Sequence, residues 1–436
     1  MNEDERLKET YVNFDPIELQ RVAGKAMGED HCSHIFKLAE GGFNKVFLFR
    51  TTSGKEVIAR IPTPIAGPPH YTTASEVATM AFLRDILGST GVFGRFDQSS
   101  WISIYNNGAG KRWLSLTSAD VASLMKQIAE IEARIFAYPF PGYGSLYRKR
   151  ELEEEPNIPL SVEDFCIGPI AARQFWHGDR SNTKIDRGPW LSPEDCFTSA
   201  ARRETTCILQ YAKPQPRRTF LLPTSFDIDP SEYTSLLSKF LQLATLLIPK
   251  DTVYNALILR HFDLTLNNIL LEPGSAKIAS IIDCEEQMEA KAKFRSEEAN
   301  LYYTAATGLY NGNHRSALKI PHLGMRQYLH QQAGYLWDGD VINLRAALVG
   351  ITTPQVWDAI TSERCPVVFS DQKRHTAMEE ANEWNECEEL LDFIRNDLGI
   401  DPKGGTEPAN FEDERDICWR NWPFKDDTDF PSSSLV

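Results

Sequence analysis

The 436-residue sequence predicts an α+β fold in which a small antiparallel sheet comes first and a larger, mostly helical part follows. Three observations carry this expectation. Residues Phe36 to Arg50 and Lys55 to Ile61 read as strand, glycine turn, strand, tight turn, strand, with Gly41-Gly42 and Thr52-Ser-Gly-Lys55 as the turns. From Ser118 the apolar positions Val121, Leu124, Met125, Ile128, Ile131 and Ile135 recur at the period of a core-facing helix, and helical patterns dominate from there on. The length allows a large core divided into two units of ordinary domain size, placed at 1–117 and 118–436.

Composition narrows the partners. Hydrophobic residues at 42% and charged residues at 25% are ordinary soluble usage, and no apolar run approaches membrane-spanning length. A net charge of −15 argues against nucleic acid, whose phosphates need clustered cations, and suits a basic substrate better. The eight cysteines are scattered with no C-x-x-C, which fits reduced thiols in an intracellular protein rather than a disulfide framework or zinc site. The acidic start Met-Asn-Glu-Asp-Glu-Arg reads as neither signal nor transit peptide, so no address is legible and the expectation is a cytoplasmic protein only where the absence of a presequence is real.

In chain order, Pro16 to Met27 predicts a short helix. After the proline-rich connector Pro62 to Pro69, Thr72 to Leu87 predicts an amphipathic helix with Val77, Met80, Leu83, Ile86 and Leu87 near one face. Trp101 to Tyr105 and Arg112 to Leu116 read as a hairpin. The helix Ser118 to Phe136 follows, then a turn and short strand at Gly142 to Tyr147 and a charged loop from Arg148 to Pro159. Ser192-Pro-Glu-Asp195 starts a helix that should run to Tyr211, with Arg202, Arg203 and Glu204 on a solvated face, and Ser231 to Leu247 is a further helix. Toward the end, Trp337 to Val349, Thr353 to Thr361 and Thr376 to Leu398 look helical, in a tail at 294–436 that packs around the helical lobe with Trp384, Trp419 and Trp422.

Chemistry concentrates between Arg260 and Glu285. The apolar strands Ala256 to Leu259 and Ile269 to Leu271 flank a polar turn, so Asp263 and Asn268 project at one rim; a third strand, Ile278 to Ile282, ends on Asp283. Taken singly, these residues cap turns and strand ends, as Asp and Asn often do. Together they supply what phosphoryl transfer needs, namely a carboxylate to take the acceptor proton, and an amide oxygen with another carboxylate to hold magnesium.

The order His261-x-Asp263, Asn268, Asp283 resembles the catalytic and metal loops of the aminoglycoside phosphotransferase family, distant relatives of protein kinases. The resemblance implies a bilobal protein-kinase-like fold with the site between the lobes, over about residues 36–290. It implies ATP and Mg2+ as cofactors and a small-molecule acceptor. Asp263 would be the base, His261 a support for its loop, Asn268 and Asp283 the magnesium ligands. Gly41 and Gly42 would let the backbone approach the phosphates, with Arg60 where kinase-like folds carry a Lys and Glu76 as its ion-pair partner. Two alternatives stay open here: Arg60 as an outward residue of an edge strand, and Glu76 as the last member of a Thr73-Ala-Ser-Glu76 capping box.

Further runs narrow the resemblance. Leu38-Ala-Glu-Gly-Gly-Phe-Asn-Lys-Val46, Val57-Ile-Ala-Arg-Ile-Pro62, Ala66-Gly-Pro-Pro69 and Phe165 to Trp190 are similar to the fungal proteins called altered inheritance of mitochondria protein 9, over about residues 5 to 290. That similarity implies a mitochondrial protein, against the plain N-terminus. Residues 88–117 are too few for the two strands and adenine-binding hinge of such folds. A catalytically impaired, pseudokinase-like binding or scaffold protein is therefore the alternative to an active phosphotransferase. A protein kinase is disfavoured because the Asp-Phe-Gly and Ala-Pro-Glu segments are lacking.

Overall fold

The first elements of the chain are a helix and a three-stranded meander packed on it. The structure is a computed structural model and describes residues 11–40, 43–85, 108–152, 154–216, 227–251, 254, 257–259, 266–281 and 297–397. Helix α1 (Pro16–Ala26) is capped by Asp15, whose carboxylate accepts from the amides of Ile17 and Glu18, with Pro16 at the first position. Strands β1 (His34–Glu40), β2 (Asn44–Arg50) and β3 (Glu56–Pro62) form an antiparallel sheet in that order. Because side chains alternate across a strand, the register sorts them into two faces. Phe47, Phe49, Val57, Ala59 and Ile61 meet Leu19 and Ala23 of α1. Val46 opposite Arg60, and Leu48 opposite Ile58, lie on the other face.

Helix α2 (Pro69–Asp85) buries Ala78, Ala81 and Phe82 against Leu146, Phe165 and Ile167. The last three belong to β4 (Ser145–Arg148) and β6 (Phe165–Gly168), central in a sheet of order β4-β6-β5 with β5 at Ile158–Pro159. Two alanines let the helix approach closely, so its buried face is centred on Phe82, and Val77, expected inside, is 51% exposed. The helix also begins at Pro69 rather than Thr72.

The expected hairpin at 101–105 and 112–116 is replaced, in its described half, by helix. Short helix α3 (Ala109–Arg112) runs into a 3-10 turn at Trp113–Ser115. The Arg112 guanidinium at the end of this helix donates to the carbonyls of Glu272 (3.1 Å) and Ser275 (2.8 Å). Helix α4 (Ser118–Phe136) forms as expected behind a capping box between Thr117 and Asp120. Its apolar stripe packs on β9 (Ile269–Leu271), β10 (Ile278–Ile281) and helix α7 (Glu297–Tyr310).

The helical core is built from α5 (Pro193–Tyr211), α6 (Pro230–Leu247), α9 (Leu323–Ala333), α10 (Ile342–Ile351), α11 (Pro354–Ile360) and the first turns of α12 (Asp371–Asp397). A short helix α8 (Gly312–Ala317) precedes α9. Leu237, Phe240 and Leu243 of α6 are fully enclosed at its centre, where truncation of one such side chain typically costs about 2–5 kcal/mol. A two-stranded ribbon, β7 (Gln215–Pro216) with β8 (Asp227–Ile228), lies between α5 and α6 in sequence. Helices α7 to α9 carry no legible period and were not expected; the helix expected from Trp337 starts only at Ile342. Residues 257–259, expected at the end of a strand, are not in one.

One expectation fails in an instructive way. Arg202 is exposed, but Arg203 and Glu204, placed beside it on a solvated face, are buried, at 2% and 0% exposure. The Glu204 carboxylate takes both an Arg180 N–H (Nε to Oε2, 3.0 Å) and the Trp337 backbone amide (2.6 Å), and Arg203 lies 3.6 Å away. Arg203 in turn donates to Gly334 O at 2.5 Å and lies 4.7 Å over the Phe175 ring. Burial lowers the Arg203 pKa to about 10, against the Glu204 charge, which raises it. The cluster ties α5 to the 175–180 loop and to the loop before α10.

Among the described residues no helix is long and apolar enough to cross a membrane, the six cysteines are free thiols, and no group of three metal-ligating side chains occurs.

Candidate functional site

The β3 run Val57-Ile-Ala-Arg-Ile alternates a face packed on α1 with one turned away from it, and Arg60 belongs to the second, with Ile58 two residues earlier. Its Nη1 lies 3.3 Å from Oε1 of Glu76 on α2, with the two side chains 28% and 18% exposed. Since α2 starts at Pro69, Glu76 sits within the helix, and the capping-box alternative falls away. Arg60 is on an edge strand, as its other alternative held, yet it is ion-paired rather than pointing freely outward. At this exposure the pair adds little to stability, so its consequence is positional: a carboxylate fixes where a guanidinium stands.

Asn268 ends a 3-10 turn at Leu266–Asn268 and is 9% exposed. It leads directly into β9, whose first residue, Ile269, pairs with Ile281, the last of β10. The chain therefore enters this hairpin at Asn268 and leaves it toward Asp283 at the same end. The hairpin is anchored on α4 by Gln127, which donates to Ala276 O at 3.0 Å and accepts from Ile278 N at 2.9 Å, and Gly108 bridges Leu270 on its other edge. Gly41, Gly42, His261, Asp263 and Asp283, with Cys284 and the adjacent glutamates, lie outside the described residues.

A segment to which the sequence assigned no role stands beside this region. Residues 169–190 cross from β6 to α5 and are held throughout: the Ala171 amide donates to Ser145 Oγ (2.9 Å), and Trp176 Nε1 donates to Ile170 O (2.8 Å). Arg187 stacks on Trp176 at 4.1 Å and donates to Phe175 O. The segment touches the connector after β3 at Gly67, where φ is +139° and an added Cβ would stand 2.6 Å from Thr72 Oγ1 and 3.4 Å from Ala171 O. Within it, a 3-10 turn at Arg173–Phe175 carries Arg173. The available signal was one arginine between small residues and the aromatic anchors Phe175 and Trp176; its neighbour across the fold is not legible from sequence.

Relatives follow the same pattern of resemblance. No family model matches the chain. It is 49% identical over 504 aligned residues to a subtelomeric hrmA-associated cluster protein of Aspergillus fumigatus, covering 92% of this chain and 99% of that protein. The chain belongs to the subtelomeric hrmA-associated cluster protein family. The alignment is longer than the chain, so the Aspergillus family member carries segments that this one lacks. A weaker similarity, 24% identity over 200 residues, connects this chain to the mitochondrial altered inheritance of mitochondria protein 9 of Komagataella phaffii. It covers 39% of this chain and 33% of that one, less than the span of residues 5 to 290 expected from the motifs. Among solved structures, the GDP and kanamycin complex of the aminoglycoside phosphotransferase APH(2")-IIia aligns with 69% of this chain and 86% of its own, at 13% identity and a TM-score of 0.29.

Proposed function

We propose that this chain is a kinase-like phosphotransferase that moves the terminal phosphoryl group of ATP to a hydroxyl of a small molecule. The observation that carries the proposal is the Arg60 to Glu76 ion pair between a sheet strand and the following helix, which sets a planar cation on the sheet face turned away from α1, beside Val46 and Ile58. Arg60, with the backbone at Gly41 and Gly42, would bind phosphate oxygens in pairs.

An amide oxygen, from the nearly buried Asn268 that leads into β9, and a carboxylate, from Asp283 two residues past Ile281 in sequence, are the donor types a hard divalent cation takes. Asn268 and Asp283 would hold magnesium, which when bound neutralises phosphate charge. Asp263 would accept the proton of the acceptor hydroxyl as its oxygen bonds to the terminal phosphorus and the bond to the bridging oxygen breaks, releasing ADP. His261 would support the loop that carries Asp263.

A second reading, a binding or scaffold protein with impaired catalysis, is favoured by one observation. Of the strand expected at Arg112 to Leu116, Arg112 ends a short helix and Trp113–Ser115 form a 3-10 turn. The two readings separate in one series: thermal shift with magnesium and ATP, followed by a turnover assay on the native chain and on Asp263→Asn. An active phosphotransferase loses on the order of 10² to 10⁴ in rate in that variant with nucleotide binding retained. Unchanged turnover in Asp263→Asn removes the proposed base, and nucleotide binding without turnover in the native chain favours the scaffold.

A further inference from the structure

We infer that the cleft between α7 and α8 is a binding site for a small organic acid, a single carboxylate on an apolar body the size of one ring and a short chain. It is separate from the phosphotransferase reading, since Arg60, Glu76 and Asn268 do not line it. The cleft holds about 320 Å³. An apolar cavity of ~150 Å³ takes up benzene, so a ring and a short chain have room here. Tyr303, Ala305, Leu309 and Leu318 supply apolar wall, and Thr307 and Arg315 are among its few polar groups, the usual composition of a small-molecule site. Leu309 and Leu318 are 79% and 59% exposed, so each helix leaves apolar surface in water that such a body would cover.

The polar groups set the chemistry of the head. Thr307 is 2% exposed, and its Oγ1 has no hydrogen-bond partner among the described residues. Thr198, Thr205 and Thr206 of α5 each donate to the carbonyl four residues earlier at 2.8 or 2.9 Å, the ordinary use of a helical threonine, and Thr307 does not. One helical turn on, Asn311 is 3% exposed; its Oδ1 accepts from the His314 amide at 3.1 Å, and its Nδ2 has no partner. Buried donors left unmet cost stability until an acceptor reaches them. The Arg315 side chain runs over Gly308, where an added Cβ would stand 3.9 Å from Cδ. Its guanidinium forms no ion pair among the described residues, and its contact with Gly308 O, from Nη1 at 3.4 Å, is longer than an ordinary hydrogen bond. A hydroxyl, an amide NH2 and a guanidinium can all donate to oxygen, and the guanidinium fork matches a carboxylate in two parallel bonds. No carboxylate lines the cleft to repel an anion.

The test is calorimetric titration of the full chain with phenylpropionate, with its neutral counterpart phenylpropanol, and with acetate, on the native protein, Arg315→Met, Thr307→Val and Ala305→Phe. Phenylpropionate should bind with a Kd below about 1 mM, and the alcohol and acetate should each bind about tenfold or more weakly than that. Arg315→Met should lose about tenfold in phenylpropionate affinity and little for the alcohol, Thr307→Val should lose several-fold, and Ala305→Phe should abolish binding by filling the cleft. Thr307→Val should melt no lower than the native chain, because a methyl replaces a hydroxyl that bonds to nothing. No phenylpropionate binding by the native chain, or native-like affinity in Ala305→Phe, overturns the site. If Ala305→Phe does not fold, native-like affinity in Arg315→Met does so. Phenylpropanol binding as tightly as the acid overturns the carboxylate, and acetate binding as tightly overturns the apolar body.

Discussion

Arg60 and Glu76 approach to 3.3 Å from elements that bury their apolar faces against different partners, β3 against α1 and α2 against the β4–β6 sheet. A contact that couples two separately packed units holds a relative position rather than a fold.

Glu76→Gln should therefore leave stability almost unchanged, within about 1 kcal/mol, as expected for a partly exposed pair. It should weaken magnesium-dependent ATP binding several-fold, on the order of 1 kcal/mol, by releasing the Arg60 guanidinium from its set orientation. Calorimetry alongside a thermal melt measures both; a large loss of stability with unchanged affinity assigns the pair to structure alone.

Base recognition should be weak. Between α2 and α4 the described residues form α3 and a 3-10 turn tied by Arg112 to the β9–β10 turn, not a strand whose backbone could read adenine. Each backbone hydrogen bond contributes about 0.5 to 1.5 kcal/mol net, so with few of them ATP should be preferred over GTP by less than about tenfold. Competition binding of the two nucleotides checks this, and tight adenine-selective binding would show that another segment supplies the contacts.

Glu204→Ala should be among the most damaging single substitutions. The carboxylate is fully buried and is shared by Arg180, Arg203 and the Trp337 amide, so its removal strands the buried Arg203 charge and breaks the bond to the loop before α10. Breaking such a pair costs about 3 to 5 kcal/mol. Chemical denaturation gives the number; a shift under about 1 kcal/mol would show that water replaces the lost partner.

Acid sensitivity should trace in part to His330. Enclosure between Phe197 at 4.5 Å and Phe240 at 6.5 Å lowers its pKa from 6.5 to about 4, chiefly by desolvation, with the Phe197 backbone bond opposing and the Arg203 charge assisting. The folded chain then binds fewer protons than the unfolded one between these values. The contribution is fully present above pH 6.5 and is lost as pH falls toward about 4, at up to about 1.4 kcal/mol per pH unit. His330→Phe should flatten the fall of melting temperature with pH across that window. An identical pH profile in the variant would assign the acid sensitivity to other groups.

Where local rules dominate, the sequence was legible. The meander from Phe36 to Ile61, the helix Ser118 to Phe136 behind Thr117, and the helix after Ser192-Pro193 each carry their own period and cap, and each forms within a few residues of the expected bounds. Helices α7 to α9 were missed because their apolar residues are shared among several neighbours: Leu301 and Leu309 of α7 are exposed while Ala299 and Ala306 are buried, which leaves no clean stripe. Trp113-Leu-Ser-Leu116 alternates as a strand does, yet it closes as a 3-10 turn behind Arg112, whose side chain donates to two carbonyls of residues 272–275 far off in sequence.

By itself, then, the sequence determined the residue order on which the proposed chemistry rests: His261, Asp263, Asn268 and Asp283, a basic residue in the third strand, and an acidic one in the next helix. Residue type and local spacing are written along the chain, and periodicity converts them into elements. Only the tertiary structure decided what each charge faces. It decided between a helix cap and a partner of Arg60 for Glu76, drew Arg203 and Glu204 out of solvent into a buried cluster, and brought Arg173 against Phe43. Such contacts join residues separated by up to 130 positions or more, as between Arg203 and Gly334, and depend on how sheets and helices pack rather than on either residue's neighbours in sequence.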